Sequence, residues 1–202
     1  MMDKNMEYNP KREGFIGRDR KEEVEVLFIL KEPNSSGEEG VWFRDCVYEK
    51  KIENKYYRTL GILADLLMGD KAGGNTHSNL GKCGYMNVYP CSGGPTASLN
   101  YEKTINDAVI LKGRLDSCFK KLNPKMVVTC LGNYDAIFKL EKYKSENYED
   151  HFLYKRDTKE DRKFNSCTIC VNGKRIPMYE FYHPAARVRK DRERFDLQGG
   201  HL

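Results

Sequence analysis

The feature that most constrains the fold is the alternation of short apolar runs with segments of helical periodicity. Residues 24–30 form an apolar run of strand length, and residues 85–89 and 125–131 form two more. Between these runs, residues 57–68 and 104–122 carry apolar side chains at helical spacing. Strands that alternate with helices predict a parallel sheet with both faces covered. The predicted fold class is therefore α/β, a three-layer α/β/α sandwich with a short central parallel sheet.

The C-terminal part of the chain predicts a hairpin. Residues 167–171 and 175–182 are strand-like and flank the Asn-Gly pair at residues 172–173, which is the strongest two-residue turn signal. A further helix is predicted over residues 134–140. His183 precedes a proline, ends the last predicted strand and starts a basic helix.

Polar loops follow three of the predicted strands. They comprise residues 31–40, 87–95 and 183–189. Because ligands bind at the carboxyl ends of the strands in open α/β sheets, we expect these loops to converge on one crevice.

The composition limits the class of protein. The chain has 202 residues, which suits a single domain over residues 1–202. No apolar run approaches the roughly 20 residues that cross a bilayer, and residues 1–20 lack an apolar signal-peptide core. The seven cysteines are odd in number, which favours reduced thiols over a disulfide framework. We expect a cytoplasmic monomer with no membrane partner.

The distribution of charge singles out one basic segment. The formal net charge is +5, which is compatible with an anionic partner. Residues 187–194 carry five bases against two acids, whereas residues 141–163 carry seven of each. The first segment predicts phosphate binding, and the second is interpreted as a charged, solvated insertion.

Four motifs, each at the end of a predicted strand or close to one, carry a family resemblance. They are Val-Leu-Phe-Ile-Leu-Lys-Glu-Pro-Asn at residues 26–34, Gly-Val-Trp-Phe at 40–43, Met-Asn-Val-Tyr-Pro-Cys at 86–91 and the hairpin with its His-Pro-Ala-Ala at 173–186. In order and approximate spacing they resemble the uracil-DNA glycosylase superfamily. The third is similar to the Thr-Asn-Val-Val-Lys-Cys of its iron–sulfur-containing thermostable branch.

The resemblance implies a monofunctional DNA glycosylase acting on uracil or a related deaminated base. A flipped base would stack on Phe43 and be read by Asn87, with Asn34 nearby. Glu32 would support the sugar cation and position water, since breaking an N-glycosidic bond passes through an oxocarbenium-like sugar. His183 would stabilise the negative charge that develops on the departing base.

DNA is the partner that the resemblance implies. Arg187 or Val188 stands where family members insert a wedge into the gap left by the base, although the usual leucine is replaced by Arg187. Arg189, Lys190 and Arg192 would contact phosphates.

The same residue types also fit roles without catalysis. Each candidate also has a structural explanation. Glu32 would be an ordinary loop carboxylate, and His183 would be a structural histidine. Asn87 would cap a turn, Phe43 would be a core aromatic ring, and the basic segment would be a solvated face. A rival function is therefore a non-glycosylase member of the fold that binds nucleic acid or a nucleobase. Lys31 in place of the usual Gln or Glu, and Asn34 in place of the residue that screens thymine, favour this rival.

The cysteines suggest a third alternative, a thiol or metal protein. Cys91 and Cys118 match cluster ligands of the thermostable branch, but its N-terminal Cys-x-x-Cys is missing because no cysteine precedes Cys46. Cys167 and Cys170 have metal-site spacing, yet a strand turns them to opposite faces. We expect neither a metal nor an iron–sulfur cluster, and no other cofactor.

Overall fold

The computed structural model of the chain contains a sheet with helices on both faces. Along the chain the elements are β1 (Gly14–Phe15), β2 (Val26–Leu30), α1 (Lys55–Leu67), α2 (Thr76–Leu80), β3 (Gly84–Asn87), α3 (Ala108–Leu122), β4 (Met126–Thr129), β5 (Ser145–Leu153), β6 (Arg162–Val171) and β7 (Lys174–Glu180). The structure describes residues 13–17, 23–30, 55–71, 73–74, 76–88, 108–130, 145–153 and 162–181.

Four neighbouring strands are parallel, as the alternation of strands and helices predicts. The order of the seven-stranded sheet is β1-β3-β2-β4-β7-β6-β5. The four central strands, β3, β2, β4 and β7, are parallel to one another. β1 pairs antiparallel with β3 at one edge, and β6 and β5 add two antiparallel strands next to β7 at the other. The sheet as a whole is therefore mixed. The predicted strands and helices in this part of the chain are confirmed to within a few residues, and the helix predicted over residues 134–140 lies outside the described residues.

Side chains of β2 alternate between two apolar clusters, which places this strand at the centre of the core. All five residues of β2 are buried. Leu27 belongs to the cluster that contains Leu115 of α3, whereas Phe28 belongs to the cluster that contains Leu60 of α1 and Leu80 of α2. We call these two sides of the sheet the α3 face and the α1 face. Burying each such side chain contributes about 1.5–3 kcal/mol, so the apolar runs dominate the stability of the sheet.

Part of the charged segment at residues 141–163 forms a strand. Within it, β5 pairs antiparallel with β6 from Ser145 opposite Ile169 to Leu153 opposite Arg162, with an irregularity between Glu146 and Glu149. Main-chain hydrogen bonds to β6, rather than an apolar pattern, make this segment a strand. Charged residues are common on such edge strands because they oppose pairing with a further chain.

The predicted hairpin is confirmed, and its turn shows why Asn-Gly stands there. Val171 pairs with Lys174, which leaves a two-residue loop. Asn172 and Gly173 have φ values of 52° and 79°, the left-handed pair that a type I′ turn requires. Glycine adopts this conformation without the steric cost that a Cβ atom brings.

Two glycine-to-alanine substitutions are expected to change stability in opposite directions. Gly173→Ala places a Cβ at φ 79°, which should lower the free energy of unfolding by about 1–2 kcal/mol. Gly113→Ala is the matched control, because Gly113 is exposed in α3 with nothing within 4 Å of an added Cβ. It should raise the same free energy by about 0.8–1.0 kcal/mol. Urea unfolding of the two variants measures both, and a shift of the same sign would contradict the turn assignment.

Candidate functional site

The sheet topology has a switch point at the carboxyl ends of β2 and β4, which is where open α/β sheets bind ligands. In the strand order, β3 lies next to β2 toward one edge of the sheet. β7 lies next to β4 toward the other edge. Where the strand order reverses in this way, the loops after the two strands part and leave a ligand crevice. The three strands β3, β2 and β4 end within one residue of each other, because Leu30 lies opposite Asn87 and Ile29 lies opposite Thr129.

Of the predicted site residues, Asn87 is described, and it lies at this edge. It is the last residue of β3 and is half-buried. The remaining predicted site residues lie outside the described residues; they are Glu32, Asn34, Phe43, His183, Arg187, Val188, Arg189, Lys190 and Arg192. The same holds for Cys91.

Both main-chain polar groups of Asn87 are held by charged side chains. Its N–H donates to Glu13 Oε1 at 2.9 Å. Its carbonyl oxygen accepts from Nε and from Nη2 of Arg114, each at 3.3 Å. Glu13 and Arg114 also form an ion pair through Oε2 and Nη2, with side chains 4% and 1% exposed. One buried ion pair thus holds the end of β3.

This arrangement follows from the shortness of β1. Its two residues pair with Tyr85 and Gly84, so β1 ends before it reaches Asn87. On the opposite side the next residue, Val88, donates to Leu30 O of β2 at 2.8 Å. The outward N–H and carbonyl of Asn87 would be left without partners, which is costly for buried main-chain groups. Glu13 and Arg114 supply the bonds that a longer β1 would otherwise provide.

The side-chain amide of Asn87 contrasts with its main chain. Among the residues that the structure describes, none forms a hydrogen bond with it. Tyr85 belongs to the cluster on the α1 face, and strand alternation puts Asn87 on the same face. An amide offers two donors and an acceptor oxygen, so a half-buried one at a strand end can read the edge of a ligand.

Two further polar residues lie near the carboxyl ends of the strands. Thr129 and Glu180 are both buried and face each other in the β4–β7 register. Alternation from Val127 and Met178 puts both on the α3 face. Within the described parts of the chain, Thr129 Oγ1 has no hydrogen-bond partner. The sheet separates these two side chains from the amide of Asn87.

The buried thiols of Cys83 and Cys130 are protonated at neutral pH. Burial raises the pKa of Cys130, which follows β4, to about 12 and also raises the pKa of Cys83. The thiolate is the nucleophile and the metal ligand, so neither residue is poised for these roles. Cys118 and Cys167 lie in the apolar cluster on the α3 face. Within the described ranges, no group of three or more His, Cys, Asp or Glu is arranged to hold a metal.

Glu13 and Arg114 are site residues that the sequence did not predict. Arg114 follows the helical spacing of the buried Leu111, Leu115 and Cys118, so an arginine on an apolar stripe was the available signal. Glu13 lies 101 positions away from it in the sequence, and nothing local marks it.

The fold and this edge define an α/β protein with a candidate ligand crevice at the carboxyl ends of its parallel strands. No protein-family model, curated protein or solved structure matches the chain. None of the helices in the described ranges is long and apolar enough to span a membrane.

Proposed function

We propose that the protein is a DNA glycosylase of the uracil-DNA glycosylase type, which hydrolyses the N-glycosidic bond of uracil or a related deaminated base. The observation that carries the proposal is the amide of Asn87. It lies at the carboxyl end of a parallel strand next to the switch point, with its main chain fixed and its side chain without a partner among the described residues. Such an amide suits recognition of the pairing edge of a flipped base.

Chain connectivity supports the same crevice for Glu32 and His183. Each follows a described residue by two positions: Glu32 follows Leu30, and His183 follows Phe181. Two residues span at most roughly 7 Å. Phe181 N donates to Thr129 O at 2.7 Å, so β7 ends at the same edge as β4. β2 and β7 are two strand spacings apart, about 10 Å, which suits two groups that act on opposite halves of one nucleoside.

The proposed mechanism divides the transition state between these groups. The base stacks on Phe43 and is read by Asn87 and Asn34. His183 stabilises the base as it gains negative charge, while Glu32 supports the sugar cation and positions water. The protein acts as a cytoplasmic monomer with a uracil-DNA glycosylase-like three-layer fold. The chemistry requires neither a metal nor another cofactor.

Release of free base tests the proposal directly. Duplexes carrying uracil opposite guanine or adenine, hypoxanthine or xanthine are incubated with excess protein, and the released base is quantified. We expect release of at least one of these bases and an abasic strand that alkali cleaves. Binding of DNA or a nucleobase without release would instead support the rival function, a binding protein built on the same fold.

The basic segment after His183 is expected to set the salt dependence of DNA binding. Arg189→Ala with Lys190→Ala should weaken binding and reduce the slope of log K against log salt by about one unit per lost phosphate contact. A matched control removes Lys120 and Lys121, two exposed lysines in the last turn of α3, which leads into the opposite end of the sheet. Fluorescence anisotropy across a salt series measures both slopes. Equal slopes would assign the basic segment to a solvated face.

A further inference from the structure

We infer that the buried Glu13–Arg114 ion pair is a positioning device that aims the amide of Asn87 at the base. This inference rests on the proposed function, in which that amide reads the pairing edge. It assigns roles to two residues distant in sequence, one preceding β1 and one in α3, that meet at the end of β3.

The hydrogen bonds fix Asn87 on both sides of its Cα. Glu13 Oε1 holds the N–H and Arg114 holds the carbonyl, so the peptide groups before and after Cα are both restrained. Fixing both peptide groups fixes the direction of the Cα–Cβ bond, which leaves two side-chain torsions to place the amide. Hydrogen bonds that involve a charged partner are stronger than neutral ones.

The ion pair is better explained by orientation than by stability. Burying two charges removes them from water, and well-packed apolar residues in the same place are often as stable. An apolar pair, however, would leave the N–H and carbonyl of Asn87 without partners. Arg114 donates to Asn87 O from two nitrogens of its planar guanidinium while it also contacts Glu13. A lysine carries the same charge on one nitrogen and cannot reproduce this fork.

Arg114→Lys is the substitution that tests the inference, because it keeps the buried charges paired. Single-turnover base release is measured for Arg114→Lys in the wild-type and Asn87→Ala backgrounds. If Arg114 acts through Asn87, we expect a loss of about 10- to 100-fold in the wild-type background. The same substitution should have little effect once the amide is absent, because effects within one coupled unit are not additive. Equal losses in both backgrounds would overturn the positioning role.

Two controls separate positioning from general destabilisation. Lys112→Arg replaces a lysine by an arginine, the opposite of Arg114→Lys, in the half-buried Lys112–Asp116 pair of the same helix. This substitution should leave base release unchanged. Glu13→Gln keeps an acceptor oxygen for the Asn87 N–H. It should therefore retain more activity than Glu13→Met under conditions in which both variants are fully folded.

A readout independent of activity distinguishes failure of this inference from failure of the proposed function. If the wild type releases none of the bases, the proposed function is wrong, and amide hydrogen exchange then decides the positioning role. Glu13→Met removes the acceptor of the Asn87 main-chain N–H and should accelerate exchange at that N–H by about tenfold or more. The amide of Val88, which donates to Leu30 O at 2.8 Å, is the internal reference and should keep its protection. Unchanged exchange at Asn87 would overturn the inference whatever the enzyme does.

Discussion

Replacing Glu32 by Gln is expected to lower the rate of single-turnover base release by about 10² to 10³. The substitution keeps the shape of the side chain and removes only its charge. In the proposed mechanism this charge acts on a sugar that becomes positive in the transition state. The ground state carries no such charge, so DNA binding should remain close to that of the wild type.

His183→Ala is expected to lower the same rate by a similar factor, for the complementary reason. In the proposed mechanism the histidine donates to the half of the nucleoside that becomes negative as the base departs. Losing this one preorganised contact corresponds to roughly 3–4 kcal/mol of transition-state stabilisation. Quenched-flow or gel-based single-turnover assays, with anisotropy for binding, measure both effects on each variant.

Glu25→Gln is the matched control for Glu32→Gln, because it makes the same change at the residue that precedes β2, at the opposite end of this strand. Glu25 Oε1 accepts from Lys125 Nζ at 2.8 Å, an exposed pair whose loss should cost at most about 1 kcal/mol of stability. Base release by this variant should equal that of the wild type. If Glu32→Gln also matched the wild type, the proposed mechanism would be wrong even with the fold intact.

The parallel strands could be predicted from sequence because burial on both faces leaves a local signature. β2 is a continuous apolar run and β4 is apolar up to Thr129, because a strand covered by helices on both sides buries nearly every side chain. The helices α1 and α3 were predictable for a similar reason, since one apolar face repeats at helical spacing. Asn87 lies inside the run predicted over residues 85–89, two residues before its end, and the strand in the structure ends at Asn87.

The outermost strands β1 and β5 were not predictable, because their strand character arises from pairing partners. β5 carries acidic and polar residues that read as a loop until β6 is placed beside it. β1 has two residues, too few for any periodicity. The Glu13–Arg114 pair is also invisible locally, because each residue acquires its role only when distant segments meet at β3.

Arg114→Met is expected to lower the free energy of unfolding by about 3–5 kcal/mol. The substitution leaves the carboxylate of Glu13, which is 4% exposed, without its partner Arg114. A buried charge that loses its partner retains its desolvation penalty and loses the attraction that offset it. The carbonyl of Asn87 also loses both of its donors from Arg114. Urea unfolding followed by circular dichroism measures the change.

The double variant Glu13→Met with Arg114→Met separates these contributions. Removing both charges also removes the carboxylate that has lost Arg114, so the double variant should be more stable than Arg114→Met alone despite its additional substitution. It should not regain full stability, because the N–H and carbonyl of Asn87 still lack partners, at about 1–3 kcal/mol for each buried group. Lys112→Met removes a half-exposed pair from the same helix and should change stability by less than about 1 kcal/mol. A double variant less stable than Arg114→Met would mean that the buried charge is not the dominant cost. The hydrogen bonds to Asn87 would then be the main contribution of this pair to folding, which strengthens the link between the ion pair and the end of β3.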